Sequence, residues 1–374
     1  MTEGTVTGGP VAEGAAAGTP AAASAAMTTS VLLRAAGTIV LLAVFAAFPL
    51  VFTNPLITTY GIFTLIFIAA AAAWNIFSGY TGYISLGHAV FFGTGAYFTG
   101  IATKDWHVPG SDVFALLLLT GVVGAIVAVP FGLVALRVRR HTFVVITIAV
   151  FFIFQLMAYN LQSITGGTSG FLAPILNFAA ATYNNPFYYT ALAIAVATVA
   201  VSWLIRRSRF GLQLRAIRDD EDRAAGLGVR TMQVKLSAFV ISAAPVAMVG
   251  GLTWYFTISI DPTSAFDPLF DIAIALMAFL GGLGTVAGPV LGALLIEPAS
   301  SYFQQQVSIG YIFQIAYGAL FLVVILALPR GIVPTTAELI ARLRARRTGQ
   351  AGAAKPEPVV VSAETVPDTS SERA

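Results

Sequence analysis

The sequence has no cysteine, only three histidines and few charged residues. Without cysteine, the chain can form neither a disulfide nor a thiolate metal site. His88, His107 and His141 lie far apart in sequence, a spacing that does not predict a histidine metal centre. Charged residues make up 10% of the chain, whereas soluble domains carry about 25%. We therefore predict no metal site, no cofactor and no soluble fold.

Hydrophobic residues dominate the amino-acid composition. They make up 57% of the 374 residues, and the mean hydropathy is +0.84, which is typical of a polytopic membrane protein. The net charge of +3 and the pI near 9.2 do not indicate a nucleic-acid partner. Basic loops on the cytoplasmic side give membrane proteins the same balance.

Apolar runs long enough to cross a membrane recur from Val31 onward. A crossing helix needs about 20 apolar residues, and we predict about ten such helices in an all-α membrane fold. They lie near 33–52, 57–78, 86–103, 113–135, 142–160, 187–205, 233–256, 268–284, 287–304 and 310–328. Glycine and proline interrupt the third, eighth and ninth. The segments at 79–100 and 281–304 therefore either span the membrane or re-enter it.

Most basic residues fall in three clusters whose positions predict the orientation. The clusters are Arg137–Arg140, Arg206–Lys235 and Arg330–Arg347, while the segments 161–186 and 257–267 contain no lysine or arginine. With ten spans, all three clusters lie on one side together with both termini. The positive-inside rule makes that side the cytoplasm.

The composition also divides the chain into domains. A transmembrane domain at 31–334 follows residues 1–30, which have the composition of a disordered tail. Residues 335–347 predict an amphipathic basic helix on the anionic inner leaflet. Residues 348–374 predict a second disordered tail.

Residues 206–235, hereafter the charged island, lie between two predicted spans. One ionised side chain at a bilayer centre costs about 2.5–3.5 kcal/mol, so the island lies in water. Its pattern predicts one helix over Gly211–Leu227, with Gly226 and Gly228 as its stop. The helix either lies on the inner leaflet or docks a protein. Anionic lipid would repel the acidic run 219–222, which favours a protein partner.

A glycine-rich segment, Trp74–Gly100, interrupts an apolar region. Broken backbone survives in a membrane only where protein or a water-filled cavity surrounds it. Close helix packing and a solute pathway lined by a discontinuous helix are both consistent with the pattern. His88 is more typical of a hydrogen-bonded packing residue than of a ligand. The candidate residues are Gly82, Ser85, Gly87, His88 and Gly93.

Two further glycine-rich stretches are candidates for function. The segment Phe279–Pro298 has small residues at helix-packing spacing, and its pairing with the first segment indicates an internal repeat with a central site. Its candidate residues are Gly281, Gly284 and Gly288. The outer 161–186 loop carries either a simple turn or a gate or docking surface, with candidates Thr165, Gly166 and Gly167.

Acidic residues are few near the predicted spans. Asp261, Asp267 and Asp271 fall at or just beyond an outer loop, and Glu297 falls near the end of a span. This placement predicts no acidic relay of the kind that a secondary transporter uses. A diphosphate-processing enzyme would need two acidic clusters to hold Mg²⁺. The charged island supplies only one.

Five stretches together resemble the membrane permeases of branched-chain amino acid ABC importers, specifically the second of the two paired permeases. They are GYTGYISLGHAVFFGTGAY at 79–97, ITGGTSGF at 164–171, SRFGLQLRAIRDDEDRAAGLGV at 208–229, GGLGTVAGPVLGA at 281–293 and LPRGI at 328–332. The resemblance covers about 33–334. It implies that the charged island carries a helix that docks into the ATPase subunit. The residues so assigned are Arg215, Arg218, Asp219, Asp220, Glu221, Ala224, Ala225 and Gly228.

The resemblance implies one subunit of a larger importer in a bacterial inner membrane. Its partners would be a sister permease, ATPase subunits and a periplasmic or lipid-anchored binding protein. The chain has no G-x-x-x-x-G-K-[ST] run, so we expect no ATPase site of its own. The solute would be a branched-chain amino acid, or urea, a short amide or an aromatic acid as in related permeases. A secondary transporter without an ATPase is the alternative from another class.

Overall fold

A computed structural model of the chain describes residues 40–52, 54–108, 110–172, 183–306 and 331–347, with Gly37 and a few isolated positions between 315 and 326. Everything below concerns these residues. The predicted tails and most of the predicted span at 310–328 lie outside them.

Helices make up nearly all of the described chain. In chain order they are α1 Val40–Val51, α2 Pro55–Trp74, α3 Ala89–Asp105, α4 Val113–Ala135, α5 Arg140–Asn160, α6 Asn184–Arg207, α7 Arg209–Asp219, α8 Glu221–Gly226, α9 Thr231–Thr257, α10 Pro268–Gly281, α11 Ala287–Gln306 and α12 Ile332–Arg347. A π-helical turn, Asn75–Gly79, continues α2.

Short elements connect these helices. Single α-helical turns lie at Gln162–Thr165 and Pro262–Ala265, and 3-10 turns lie at Gly110–Asp112 and Gly167–Ser169. Strand β1, Phe171–Leu172, pairs antiparallel with β2, Ser259–Ile260. This pairing joins the connection after α5 to the connection after α9.

Six helical segments of the described chain are long and apolar enough to cross a membrane. They are Pro55–Gly79, Gly110–Ala135, Arg140–Asn160, Asn184–Arg207, Thr231–Thr257 and Pro262–Gly281. Each coincides with one of the predicted spans. The all-α polytopic membrane fold expected from composition is therefore confirmed.

Three other predicted spans coincide with helices that do not meet the same criterion. Helix α1 is a shorter apolar helix, α3 has 17 residues, and α11 carries Glu297 and a proline within its length. The number ten stays a prediction, because the segment 310–328 lies mostly outside the described residues.

Glycines bring the backbones of α3 and α9 into direct contact. A Cβ added at Gly95 of α3 would lie 2.0 Å from the carbonyl oxygen of Ala247, and one added at Gly250 of α9 would lie 2.0 Å from that of Phe92. Each helix therefore presents a glycine to the backbone of the other, an arrangement typical of membrane helix pairs. This contact explains how the glycine-rich helix α3 sits inside the bundle, with most of its residues buried.

An aromatic cluster fills the bundle beside this contact. Phe239 of α9 packs against Phe77, Phe91, Phe131 and Phe143, with ring centroids 4.9 to 6.3 Å apart and steep interplanar angles. Such edge-on pairs stabilise by about 0.5–1.5 kcal/mol each beyond the area they bury. The cluster holds α3, α4 and α5 against α9.

The contact between α3 and α9 can be tested with alanine substitutions. Alanine favours a helix by up to about 1 kcal/mol over glycine, but overpacking typically costs about 1–3 kcal/mol or more. Because the nearest atom is backbone, we expect Gly95→Ala and Gly250→Ala each to lower the thermal unfolding midpoint of the purified protein. Size-exclusion chromatography after heating measures that midpoint.

The matched control is Gly226→Ala, because no atom lies within 4 Å of a Cβ there. Its unfolding midpoint should be unchanged or slightly raised. An unchanged midpoint for both Gly95→Ala and Gly250→Ala would contradict the described contact.

Candidate functional site

The charged island contains two helices instead of the single predicted one. Helix α7 ends at Asp219, and Asp220 adopts an extended conformation with φ −156° and ψ 110°. The Asp220 carboxylate then accepts a hydrogen bond from the backbone nitrogen of Arg223 at 3.0 Å. The prediction of one helix over Gly211–Leu227 is therefore wrong, because aspartate at this position caps a new helix.

One face of α7 packs against the membrane domain. Gly211, Leu214 and Ile217 are buried, and a Cβ at Gly211 would lie 2.1 Å from the carbonyl oxygen of Ile205 at the end of α6. Ser208 caps α7 by accepting a hydrogen bond from the backbone nitrogen of Gly211 at 3.2 Å. Helix α7 therefore begins in contact with the last turn of a membrane span.

Arg218 of α7 reaches both glycine-rich segments. Its Nη1 donates to the carbonyl oxygen of Gly79 at 2.8 Å. A Cβ at Gly284 would lie 2.4 Å from the same Nη1, and Gly284 has a positive φ of 77°. Glycine at 284 therefore supplies both the backbone conformation and the space that the guanidinium occupies.

Asn75 joins the two glycine-rich segments to each other. Its Oδ1 accepts from the backbone nitrogen of Gly284 at 2.8 Å, and its Nδ2 donates to the carbonyl oxygen of Thr285 at 2.8 Å. Asn75 is fully buried in the π-helical turn after α2. We call the meeting point of Asn75, Gly79, Arg218 and Gly284 the junction.

A second contact ties the charged island to the bundle beside the junction. Lys235, in the first turns of α9, donates through Nζ to Glu221 Oε1 at 2.5 Å and to Tyr83 Oη at 3.3 Å. Tyr83 Oη donates to Glu221 Oε2. Only 5% of the Lys235 side chain and 25% of the Glu221 side chain are exposed. The Glu221 carboxylate therefore faces the membrane domain.

The charge of Glu221 is stabilised by these neighbours. Partial burial raises the pKa of the Glu221 carboxyl, but the hydrogen bonds from Lys235 and Tyr83 and the Lys235 charge outweigh it. The net result is a pKa below the usual range. Glu221 is thus ionised at neutral pH and balances the buried Lys235 ammonium.

Arg140, the first residue of α5, holds the end of α7. Its Nη2 donates to the carbonyl oxygens of Ile217 and Arg218 at 2.8 and 2.6 Å. A cation at a helix C-terminus satisfies unpaired carbonyls and the helix dipole. The neighbouring pair Arg139 and Asp222, 3.5 Å apart, is largely exposed and contributes at most about 1 kcal/mol.

The opposite face of α7 and α8 points to solvent and carries both signs of charge. On this face Arg215, Asp219 and Ala225 are exposed and Asp220 is half-buried, whereas Ala224 is buried and does not belong to it. Gly228 has a φ of 87° with open space around it, as expected of a helix stop. Two leucines also lie on this face with large exposed fractions, 58% for Leu212 and 86% for Leu227.

The first glycine-rich segment is held by packing contacts. Gly82 has a φ of 73° and lies against the Arg218 side chain, Gly87 lies against the Thr147 backbone, and Gly93 lies against the Phe266 ring. The buried His88 ring is within 3.0 Å of Ser85 Oγ and 3.1 Å of Ser242 Oγ. These contacts favour close helix packing as the role of the first glycine-rich segment.

The second segment also packs helices, and the outer turn lies elsewhere. A Cβ at Gly281 of α10 would lie 1.7 Å from the carbonyl oxygen of Gly288, so α10 and α11 touch through their backbones. Thr165 Oγ1 donates to the carbonyl oxygen of Ala158 at 2.6 Å, in the turn with Gly166 and Gly167 at positive φ. This turn follows α5 at the end of the spans opposite to the charged island, hereafter the far end.

Two acidic residues, Asp271 and Glu297, are more buried than their sequence positions predict. Asp271 is 2% exposed, in the first turn of α10, and accepts from the backbone nitrogen of Ala89 at 3.1 Å. Glu297 is 7% exposed within α11. Asp271 thus lies just beyond the outer loop, as expected from the sequence, but its burial was not expected. Neighbouring helices bury it at the start of α3.

Sequence reasoning missed two residues of the junction and its supports. Asn75 is an amide in an otherwise apolar run, followed four positions later by Gly79, and that isolated polar residue was a usable signal. Arg140 was counted only for its charge. Its contact with α7 depends on a fold that brings α5 and α7 together, which spacing along the chain does not reveal.

Known proteins similar to this chain are permeases. Residues 56–327 match the family described as "Branched-chain amino acid transport system / permease component". The chain is 26% identical over 302 residues to the high-affinity branched-chain amino acid transport system permease protein LivM of Salmonella typhimurium, covering 73% of this chain and 69% of that protein. It is 28% identical over 279 residues to LivH of Escherichia coli K12, covering 70% and 89%.

A shorter similarity, 32% identity over 108 residues covering 28% of this chain and 30% of that protein, is to the autoinducer 2 import system permease protein LsrC of Yersinia pestis. No solved structure matches the chain. The region matched by the family contains the junction, both glycine-rich segments and the charged island. The chain therefore belongs to the family of branched-chain amino acid transport system permease components.

Proposed function

We propose that this chain is the membrane-spanning permease subunit of an ATP-driven importer, and that α7 and α8 couple its spans to an ATPase partner. The observation that carries the proposal is the position of Arg218. Its guanidinium lies on the charged island, yet it contacts Gly79 and Gly284 at two breaks in membrane helices. A force applied to α7 from outside the membrane would reach both breaks at once.

The two faces of α7 and α8 would contact different parts of the importer: the inner face contacts the spans, and the outer face would contact the ATPase. The inner face is fixed to the bundle by Arg218, by Arg140 and by the Glu221–Lys235 pair. The outer face offers mixed charge and exposed Leu212 and Leu227. An apolar contact within a charged rim is the composition of protein interfaces, and it fits the ATPase better than an anionic lipid surface.

The partners follow from the family. We propose a sister permease, ATPase subunits and a periplasmic or lipid-anchored binding protein, with no ATPase site in this chain. We also propose that the chain is the second permease of the pair. Support is divided, since the relatives include LivM at 26% identity and LivH at 28%.

A branched-chain amino acid is the proposed solute. The names of the LivM and LivH relatives support it. Urea, short amides or aromatic acids are the alternatives within the family, and the LsrC relative, named for autoinducer 2 import, is evidence that similar chains serve other solutes.

The proposed orientation puts the charged island and both termini in the cytoplasm. Two basic clusters, Arg137–Arg140 and the charged island, meet at one end of the described bundle, and α12 begins at the same end. Arg140 touches α7. Gly331 directly precedes α12, and a Cβ added at Gly331 would lie 2.4 Å from the Cα of Gly282. Basic residues are concentrated at this end, whereas the segments 161–172 and 257–267 at the far end contain no lysine or arginine. This difference supports a cytoplasmic position for the charged island.

A secondary transporter is the second candidate function, because Asp271 and Glu297 are buried within membrane helices. Buried acids of this kind are used in proton relays. Asp271, however, accepts hydrogen bonds from the backbone at the start of α3, which is a structural use. Uptake after ATP depletion with the proton gradient intact would favour this candidate, and its loss would favour the importer.

The orientation can be tested by thiol labelling because the chain has no cysteine. In Gly226→Cys, a membrane-impermeant thiol reagent should react in inverted vesicles and not in intact cells. In Ser111→Cys, an exposed position at the far end, the pattern should reverse. Labelling of position 226 from outside intact cells would contradict the orientation.

The coupling proposal predicts different defects for the two faces of the charged island. Arg218→Ala removes the contact with both helix breaks and leaves the outer face intact. We expect the ATPase to copurify normally, whereas solute-stimulated ATP hydrolysis falls by about tenfold or more. Leu227→Asp places a charge on the exposed apolar site, and we expect copurification of the ATPase to fall about tenfold or more.

Lys104→Ala, an exposed basic residue near the far end, is the control and should change neither quantity. Normal import and normal ATPase copurification in both Arg218→Ala and Leu227→Asp would show that α7 and α8 are not the coupling element.

A further inference from the structure

A cavity lies among the described helices, away from the junction and nearer the far end. Its volume is about 210 Å³, and its walls come from α2, α3, α9, α10, α11 and the turn before α10. Water takes about 30 Å³ per molecule in the liquid, so the cavity has room for roughly seven waters. That volume is below the 300–1,000 Å³ typical of drug-sized ligands and suits a small solute.

Two carboxyl groups line this cavity, and the described residues around it include no lysine, arginine or histidine. Glu297 is nine-tenths buried and accepts from Ser301 Oγ at 2.8 Å and from Ser300 Oγ at 3.4 Å. Asp267 accepts from the backbone nitrogen of Leu269 at 2.9 Å. Each carboxyl group has two oxygens with several acceptor sites, so these donors leave acceptor capacity for a solute in the cavity.

The remaining walls are largely aromatic. Phe270 of α10 packs with Phe67 of α2 and Phe92 of α3, with ring centroids 5.6 and 4.5 Å apart, and Phe63 completes the wall. Aromatic faces attract a cation and also provide an apolar surface. The cavity thus combines two carboxyl groups with a ring wall.

We propose that this cavity is a binding subsite for the positively charged, amine-type head of a small solute, whose apolar part packs on the phenylalanine wall. Glu297 and Asp267 would accept hydrogen bonds from the ammonium group. A solute whose only charge is negative would be rejected, because no described wall residue offers it a cation. The carboxylate of an amino acid would then point away from Glu297.

The assignment deepens the proposed function and rests on it in one respect only. If the far end faces outward, the cavity lies on the side from which an importer receives its solute. The charge preference itself follows from the walls and does not depend on ATP. It can therefore be measured without an active ATPase.

The experiment places one cysteine in the cavity of the full chain, expressed with its partners in membranes. Ala273 lines the cavity and is 8% exposed, so Ala273→Cys adds a single small thiol. Two methanethiosulfonate reagents of similar size are compared without ATP, one with a trimethylammonium group and one with a sulfonate group. Each rate is divided by the reagent's rate with a free thiol in solution.

We expect the cationic reagent to react about tenfold faster or more on this corrected scale. Isobutylamine should slow the labelling, whereas isobutyrate, of similar size and opposite charge, should not. Adding Glu297→Gln should reduce the rate ratio several-fold. Adding Asp112→Asn, an exposed acid near the far end, should leave it unchanged.

Several results would overturn the proposal: equal corrected rates, a ratio that Glu297→Gln does not alter, or no reaction of Ala273→Cys with either reagent. Gly226→Cys labelling from the cytoplasmic side verifies that each variant inserts and folds. A cavity that keeps its charge preference while uptake proves independent of ATP would refute the importer and retain the subsite. If the charge preference is lost while ATP-driven uptake is intact, the subsite is refuted and the importer is retained.

Discussion

The guanidinium of Arg218 is the interaction on which the arrangement at the charged end depends. It occupies space that exists only because residue 284 has no side chain, and it donates to the Gly79 carbonyl on the other side. Backbone that leaves a helix inside a membrane protein needs a partner, because lipid supplies none. Arg218 supplies it for Gly79, and Asn75 supplies it for Gly284 and Thr285. The two broken helices and α7 are therefore one structural unit.

The strength of the supports around this unit differs with their burial. Removing one member of a buried ion pair typically costs about 3–5 kcal/mol, because the other charge is left without a partner. Lys235 and Glu221 approach that case, since only 5% of the Lys235 side chain is exposed. The exposed pair Arg139 and Asp222 contributes at most about 1 kcal/mol. The charged island is thus held from its inner face, and its outer face is free for a partner.

Much of the fold could be predicted from the sequence, because membrane thickness sets the length of each apolar run. Six predicted spans coincide with helices of sufficient length, and the central part of the charged island, 208–230, lies between two of them. The split at Asp220 was missed because a helical pattern on both sides hid a capping residue. The depths of Asp271 and Glu297 were missed because neighbouring helices, not sequence position, bury them. Contacts such as Arg140 with α7 require the tertiary fold.

The contacts made by Arg140 and Arg218 end on main-chain oxygens: those of Ile217, Arg218 and Gly79. A main-chain carbonyl is present whatever side chain its residue carries. Substitutions at the accepting positions therefore leave the acceptors in place, provided that the backbone keeps its course. The choice of side chain at Ile217 is therefore set by its burial against the membrane domain and not by the hydrogen bond, whereas each donating arginine is needed for the bond itself and residue 284 must leave room for the guanidinium. Gly79 is constrained by packing as well, because a Cβ there would lie 1.9 Å from Asn75 Oδ1. The donating side of the junction is thus fixed by its hydrogen bonds, and the accepting side is fixed by close packing.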